Sequence, residues 1–156
     1  MLDAVTTNAL AQAGGFCAVG FAAMGSALGA GVASSAAIGA WKKCYAQNRP
    51  APFQLAVFAG APLTQTIYGM ILMFLINGKV ATAATAWPVF MAIGVVGGIA
   101  MGISAWLQGV AAAGACDAFG ETGKGFTNNL MALGIIETVA IFVMAFAIVL
   151  LASVGQ

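Results

Sequence analysis

The chain has 156 residues, of which 62% are hydrophobic and 6% charged, whereas about a quarter of the residues in a soluble domain are charged. That composition describes a membrane protein. With a formal net charge of +1, no histidine and no basic run, nucleic-acid binding and histidine-based catalysis have nothing to act through.

The N-terminal MLDAVTTNALAQ lacks the basic n-region of a signal peptide and leads into an apolar run too long for an h-region, so it is expected to remain in the mature protein. Charge clusters then divide the chain into four apolar stretches, 14–41, 53–77, 87–116 and 127–154. About 20 such residues cross the hydrocarbon core as a helix, so each stretch is predicted to span. The NGKVATA segment between the second and third reads as a loop. Cys17, Cys44 and Cys116 make an odd count without metal-ligand spacing, as reduced small hydrophobes do.

Lys42, Lys43 and Arg49 lie between the first two stretches and Lys124 between the last two, with Lys79 on the other side. By the positive-inside rule, loops 42–52 and 117–126 are predicted to be cytoplasmic and both termini to lie outside.

The halves resemble each other. GVASSAAIGAW near the end of the first stretch returns as GVAAAGACDAF near the end of the third, about 78 residues later. LTQTIYGMILMFL in the second aligns with IIETVAIFVMAFA in the fourth, which sets Gln65 opposite Glu137. The predicted fold is therefore all-α, two tandem helical hairpins over 1–78 and 79–156 in parallel topology, with the acid only in the second. Gly25, Gly29, Ala33, Ala36 and Ala40 form a small-residue stripe on the first stretch, as Gly94, Gly98, Gly102, Gly109 and Ala113 do on the third. Such stripes let helices approach closely. Large apolar residues gather on the second and fourth stretches, so an inner and an outer layer are expected.

Depth links the polar residues. Counted from the predicted cytoplasmic loops, Glu137, Gln65 and Gln108 all lie roughly 14 to 18 Å in, near the bilayer midplane. An ionised carboxylate there costs about 2.5 to 3.5 kcal/mol or more, and no Lys, Arg or His lies within a span to pair with it. Oxygen is what the sequence offers instead, on Thr64, Gln65, Tyr68, Gln108 and Thr138. Pro62 removes a helical hydrogen bond, which is expected to free a carbonyl near Ala61 or Phe58. Such an oxygen set suits a hard monovalent cation, sodium best, with a proton on Glu137 as the alternative.

PLTQTIYG at 62–69, WLQGVAAAG at 106–114 and IIETVAIF at 135–142 resemble the motifs of the proteolipid (c or K) subunit of V-type rotary ATPases, in its bacterial sodium-translocating form. The resemblance covers nearly the whole chain, including the missing acid of the first hairpin. It implies that Glu137 carries Na+, with Thr64, Gln65 and Gln108 as side-chain ligands, the Ala61 carbonyl as a further oxygen, and Tyr68 hydrogen-bonded to the carboxylate. It also implies a ring of identical subunits in lipid, turning against a stator subunit with an essential arginine, and docked to central-stalk subunits by its cytoplasmic loops. The subunit itself would be non-catalytic, and no P-loop is present.

Two other functions remain open. A small four-helix exchanger trading protons for an organic cation would need aromatic residues around the acid, and Tyr68 is the main candidate. A purely structural ring or pore would be found apart from an ATPase head.

Overall fold

The computed structural model describes residues 2–155, and every regular element among them is helical. Helix α1 runs from Ala4 to Ala46, 43 residues, a length of roughly 64 Å at 1.5 Å per residue. Asp3 starts it, its carboxylate accepting the Thr6 N–H at 2.7 Å, and this bond holds the Asp3 carboxyl below its ordinary range. The helix thus begins well before the apolar stretch at 14, because hydropathy marks where a helix enters lipid and a cap marks where it starts.

Next come α2 (Gln54–Gly60), a 3₁₀ turn (Ala61–Leu63), α3 (Thr64–Ala83), a second 3₁₀ turn (Ala84–Ala86), α4 (Trp87–Ala92), a π turn (Ile93–Gly97) and α5 (Gly98–Thr122). They follow one another without a break, so Gln54–Thr122 is a single helical run of 69 residues. With α6 (Phe126–Ser153), three helical runs are long and apolar enough to cross a membrane, in place of four separate helices.

The middle run is bent double. Gln65 and Gln108 are hydrogen-bonded at 2.8 Å, although a straight helix would hold them roughly 65 Å apart. The reversal falls at Ala83, which leaves helical geometry at φ −141°, ψ 33°. Stretches 53–77 and 87–116 are the two arms of this run. NGKVATA, read from the sequence as a loop, is helical through Ala83, with the Lys79 ammonium donating to the Val154 carbonyl at 3.0 Å. Polar residues there mark the level of water, and the chain turns only at the last residue of the segment.

At the opposite end two loops come together. Lys43 Nζ lies 2.8 Å from Glu121 and 3.5 Å from Asp117, and the Arg49 guanidinium donates to the Gly120 and Glu121 carbonyls at 3.4 Å. Trp41 Nε1 donates to the Pro52 carbonyl at 2.9 Å. Between α5 and α6, Gly123 and Gly125 take φ of 64° and 82°, left-handed values that glycine adopts without steric cost.

α1 packs along both α5 and α3. A Cβ added to Gly25 would enter the backbone of Gly102, one on Gly109 that of Gly29, and one on Gly94 that of Gly14. Backbones therefore touch where the small-residue stripes meet. The stripes are rotated slightly from their sequence phase: Ala37 and Ala112 are buried, while Ala36 and Ala113 are half-buried. α6 turns Met131, Ile135, Val139, Phe142, Phe146 and Val149 outward. Two apolar clusters fill the interior, and the one nearer the loops is organised by Phe58, Phe119 and Phe126, with ring centroids 5.3 to 6.0 Å apart. Between the clusters lies a layer of buried polar side chains.

Candidate functional site: a carboxylate held by three helices

That layer is built by the two arms of the middle run and by α6. Just before α3, Pro62 lacks an N–H and tightens the chain into the 3₁₀ turn Ala61–Leu63. The expected free carbonyls are engaged there: Phe58 O accepts the Ala61 N–H, and Ala61 O accepts the Thr64 N–H and the Thr64 hydroxyl at 3.1 Å. Shortened turns compensate for the bond that proline removes. The turn also brings three oxygens into sequence, because Thr64 Oγ1 reaches Gln65 Oε1 at 3.2 Å.

Gln65 and Gln108 are both 0% exposed, and a buried amide needs partners for its donors and acceptors. Gln65 Nε2 donates to Gln108 Oε1 at 2.8 Å. Gln108 Nε2 then donates to the Leu133 carbonyl at 3.1 Å and to Glu137 Oε2 at 3.2 Å. The other carboxylate oxygen, Oε1, accepts the Tyr68 hydroxyl at 2.6 Å. Hydrogen-bond contacts thus run from the Ala61 carbonyl through Thr64, Gln65 and Gln108 to Glu137 and Tyr68, although the single Thr64 hydroxyl hydrogen faces two acceptors, Ala61 O and Gln65 Oε1. Glu137 and Tyr68 are half-buried, at the outer rim of the layer.

Six residues singled out from the sequence, Ala61, Thr64, Gln65, Tyr68, Gln108 and Glu137, meet in these contacts. Thr138 does not join them: it is exposed and its hydroxyl donates to Ile135 O at 2.6 Å, because the residue after Glu137 is carried about 100° around α6. Trp106 and Leu63 are likewise turned outward, 48% and 53% exposed. Sequence reasoning overlooked Ser104, whose buried hydroxyl donates to the Ile136 carbonyl at 3.0 Å. Its position one helical turn from Gln108, on the same face, was the available signal.

Chemically the layer offers one carboxylate, a threonine and a tyrosine hydroxyl, two reversible amides and a backbone carbonyl. No positive side chain is among them, so neutralising Glu137 falls to a proton or a small cation. Oxygen ligands of this kind suit a hard ion.

Residues 91–150, which include Gln108 and Glu137, match the family of the ATP synthase C subunit. Over 146 residues, 93% of this chain, the sequence is 34% identical to a protein of Methanocaldococcus jannaschii named as the K subunit of an A-type ATP synthase. The chain spans 63% of that relative's length. These matches relate it to the C and K subunits of ATP synthases.

Proposed function

Taking its relation to the C and K subunits of ATP synthases as the premise, we propose that this chain is a non-catalytic rotor proteolipid that carries Na+ across the membrane on Glu137. The observation that supports this most directly is a single carboxylate bonded by Tyr68 and Gln108, with Gln65 behind Gln108 and Thr64 behind Gln65. Identical subunits would form a ring in lipid, with the glycine-lined α1 and α5 inside and α6 outside. The ring would turn against a stator subunit whose arginine meets each Glu137, and loops 42–52 and 117–126 would face the cytoplasm and dock the central stalk.

Each residue then has a physical task. An ionised carboxylate turned toward lipid costs about 2.5 to 3.5 kcal/mol, so Glu137 passes the lipid-facing part of a rotation only when its charge is cancelled. Sodium would be held by Glu137, by Oγ1 of Thr64, by Oε1 of Gln65 and by the Ala61 carbonyl. A half-turn of the Gln108 amide about its last torsion would replace the N–H now facing Glu137 with Oε1, and so supply a further ligand. Tyr68 would keep the carboxylate pointed inward and close the outer rim. At the stator, arginine would compete for Glu137 and release the ion.

One observation favours the proton as cargo instead. Gln108 presents N–H, not oxygen, to Glu137. Labelling of Glu137 by a hydrophobic carbodiimide in isolated membranes separates the two, measured across pH with sodium chloride or with potassium chloride as control. Slowing by sodium alone is the expected result. Labelling that follows pH and ignores sodium would assign the site to protons, and an unreactive Glu137 would overturn the rotor assignment.

A further inference from the structure

The two halves each place one buried serine at the same point of their inner helix. Ser26 on α1 and Ser104 on α5 are 2% and 4% exposed, and they align when the repeated GVA motifs are superposed. Packing places them at registers that differ by one residue in the aligned repeats. Positions for a Cβ on Gly69 and Gly29 meet Ala22 and Pro62 respectively, which sets Ser26 opposite Gln65. On the other half a Cβ on Gly97 would meet Val143 and Gln108 reaches Leu133 O, which sets Ser104 opposite Ile136. The outcomes differ. Ser104 Oγ donates to Ile136 O at 3.0 Å, whereas Ser26 Oγ has no partner among the described residues.

We infer that Ser104 is a positioning residue for the ion-carrying carboxylate. Its hydroxyl ties α5 to the peptide unit that joins Ile136 to Glu137, so that Glu137 exchanges its ion by side-chain rotation while α6 keeps its register. This rests on Glu137 being the ion carrier.

Only two side chains of α5 bond to α6 at this level among the described residues, and they differ in kind. Gln108 uses one NH2 group for both Leu133 O and Glu137 Oε2, so any turn of its amide, or any departure of the carboxylate, breaks part of its hold. Ser104 touches only backbone and is indifferent to the state of Glu137. It is the attachment that persists through the cycle. Packing alone would be served by alanine, since Ala105 and Ala112 fill the same buried side of α5, but alanine cannot donate.

The test uses whole membranes carrying Ser104→Ala, Ser104→Thr or Ser26→Ala, and reads two quantities: the sodium concentration that half-protects Glu137 from carbodiimide, and the pH of half-labelling without sodium. A hydrogen bond of ordinary net strength corresponds to a shift of about three- to tenfold. Ser104→Ala should raise the half-protecting concentration by that factor, Ser104→Thr should restore it to within about twofold, and Ser26→Ala should leave it there. If threonine does not fit, Ser104→Cys, a weaker donor of similar size, should fall between serine and alanine. An unshifted Ser104→Ala, or an equal shift in Ser26→Ala, overturns the inference. Should the parent protein show no sodium protection, sodium as cargo is excluded, and the pH of half-labelling decides: Ser104→Ala must move it and Ser26→Ala must not. A parent protein whose Glu137 never labels removes the ion-carrier assignment and the inference with it.

Discussion

Tyr68 and Glu137 lie 69 positions apart in the chain, yet the tyrosine hydroxyl donates to the carboxylate at 2.6 Å. The bond joins α3 to α6 at the half-buried rim of an otherwise enclosed polar layer. It is the outermost contact that Glu137 must give up to leave the layer.

Tyr68→Phe removes that bond and little else, since the ring is kept. A charge-assisted hydrogen bond contributes about 1.5 to 3 kcal/mol, but half-exposure of this pair places the loss at the lower end. Labelling of Glu137 by carbodiimide should accelerate roughly tenfold and sodium protection should weaken correspondingly. An unchanged labelling rate would show that the hydroxyl does not hold the carboxylate.

Glu137→Gln keeps the size of the side chain, and its amide oxygen can accept from Gln108 while its NH2 donates to the Tyr68 hydroxyl oxygen. Assembly and helical content should therefore persist, while carbodiimide labelling and ion-coupled ATP hydrolysis are lost. Unfolding of this variant would instead assign the carboxylate a structural role. Glu137→Asp should fold as well but bind sodium weakly, its shorter arm no longer reaching Tyr68 and Gln108 together.

Backbone contact between α1 and α5 predicts a paired result. Gly109→Ala places a methyl against the backbone of Gly29, and overpacking of that kind costs about 1 to 3 kcal/mol. Gly114→Ala, on the same helix with open space around it, should be neutral or slightly stabilising. Thermal stability of the detergent-solubilised protein should separate the two, with only the first lowered. Equal effects would mean that α1 and α5 do not touch along this line.

The ion pair at the loop end has a defined pH window. Lys43 holds the Glu121 carboxyl below its usual range, and Glu121 in turn raises the Lys43 ammonium above its own. For a depressed carboxyl, the stabilisation is present above the unfolded value and is lost as pH falls through the folded one; for a raised amine, it is lost as pH rises through the folded value. Amide exchange in the loop that carries Arg49 and in the turn at Gly123, corrected for intrinsic rates, should be flat between about pH 5 and pH 9 and should rise below about pH 4. Both side chains are more than half exposed, so the effect on global stability should be small. A change in loop protection near neutral pH would point to a different titrating group.

Composition alone makes this a membrane protein, and the depth of one acid between apolar neighbours marks Glu137. Both follow from a single rule, that charge in hydrocarbon is expensive, and that rule acts on individual residues wherever they are. The oxygen-bearing partners of Glu137 were also legible, because their distances from the loops convert to depth through the fixed rise of a helix. Depth does not give azimuth: Thr138 lies at the right level and faces away from the cluster, and Ser104 was passed over because nothing in the chain says which carbonyl it meets. NGKVATA was misread as a loop because polarity reports the membrane boundary: the segment is helical up to its last residue, Ala83, where the backbone angles turn the chain. Local 3₁₀ geometry engages Ala61 O and Phe58 O, and tertiary structure alone decided that Gln108 offers N–H to Glu137 and that one of two repeated serines is bonded and the other is not. The last two are matters of a few tenths of an ångström between helices distant in sequence, set by how closely glycines let the backbones approach.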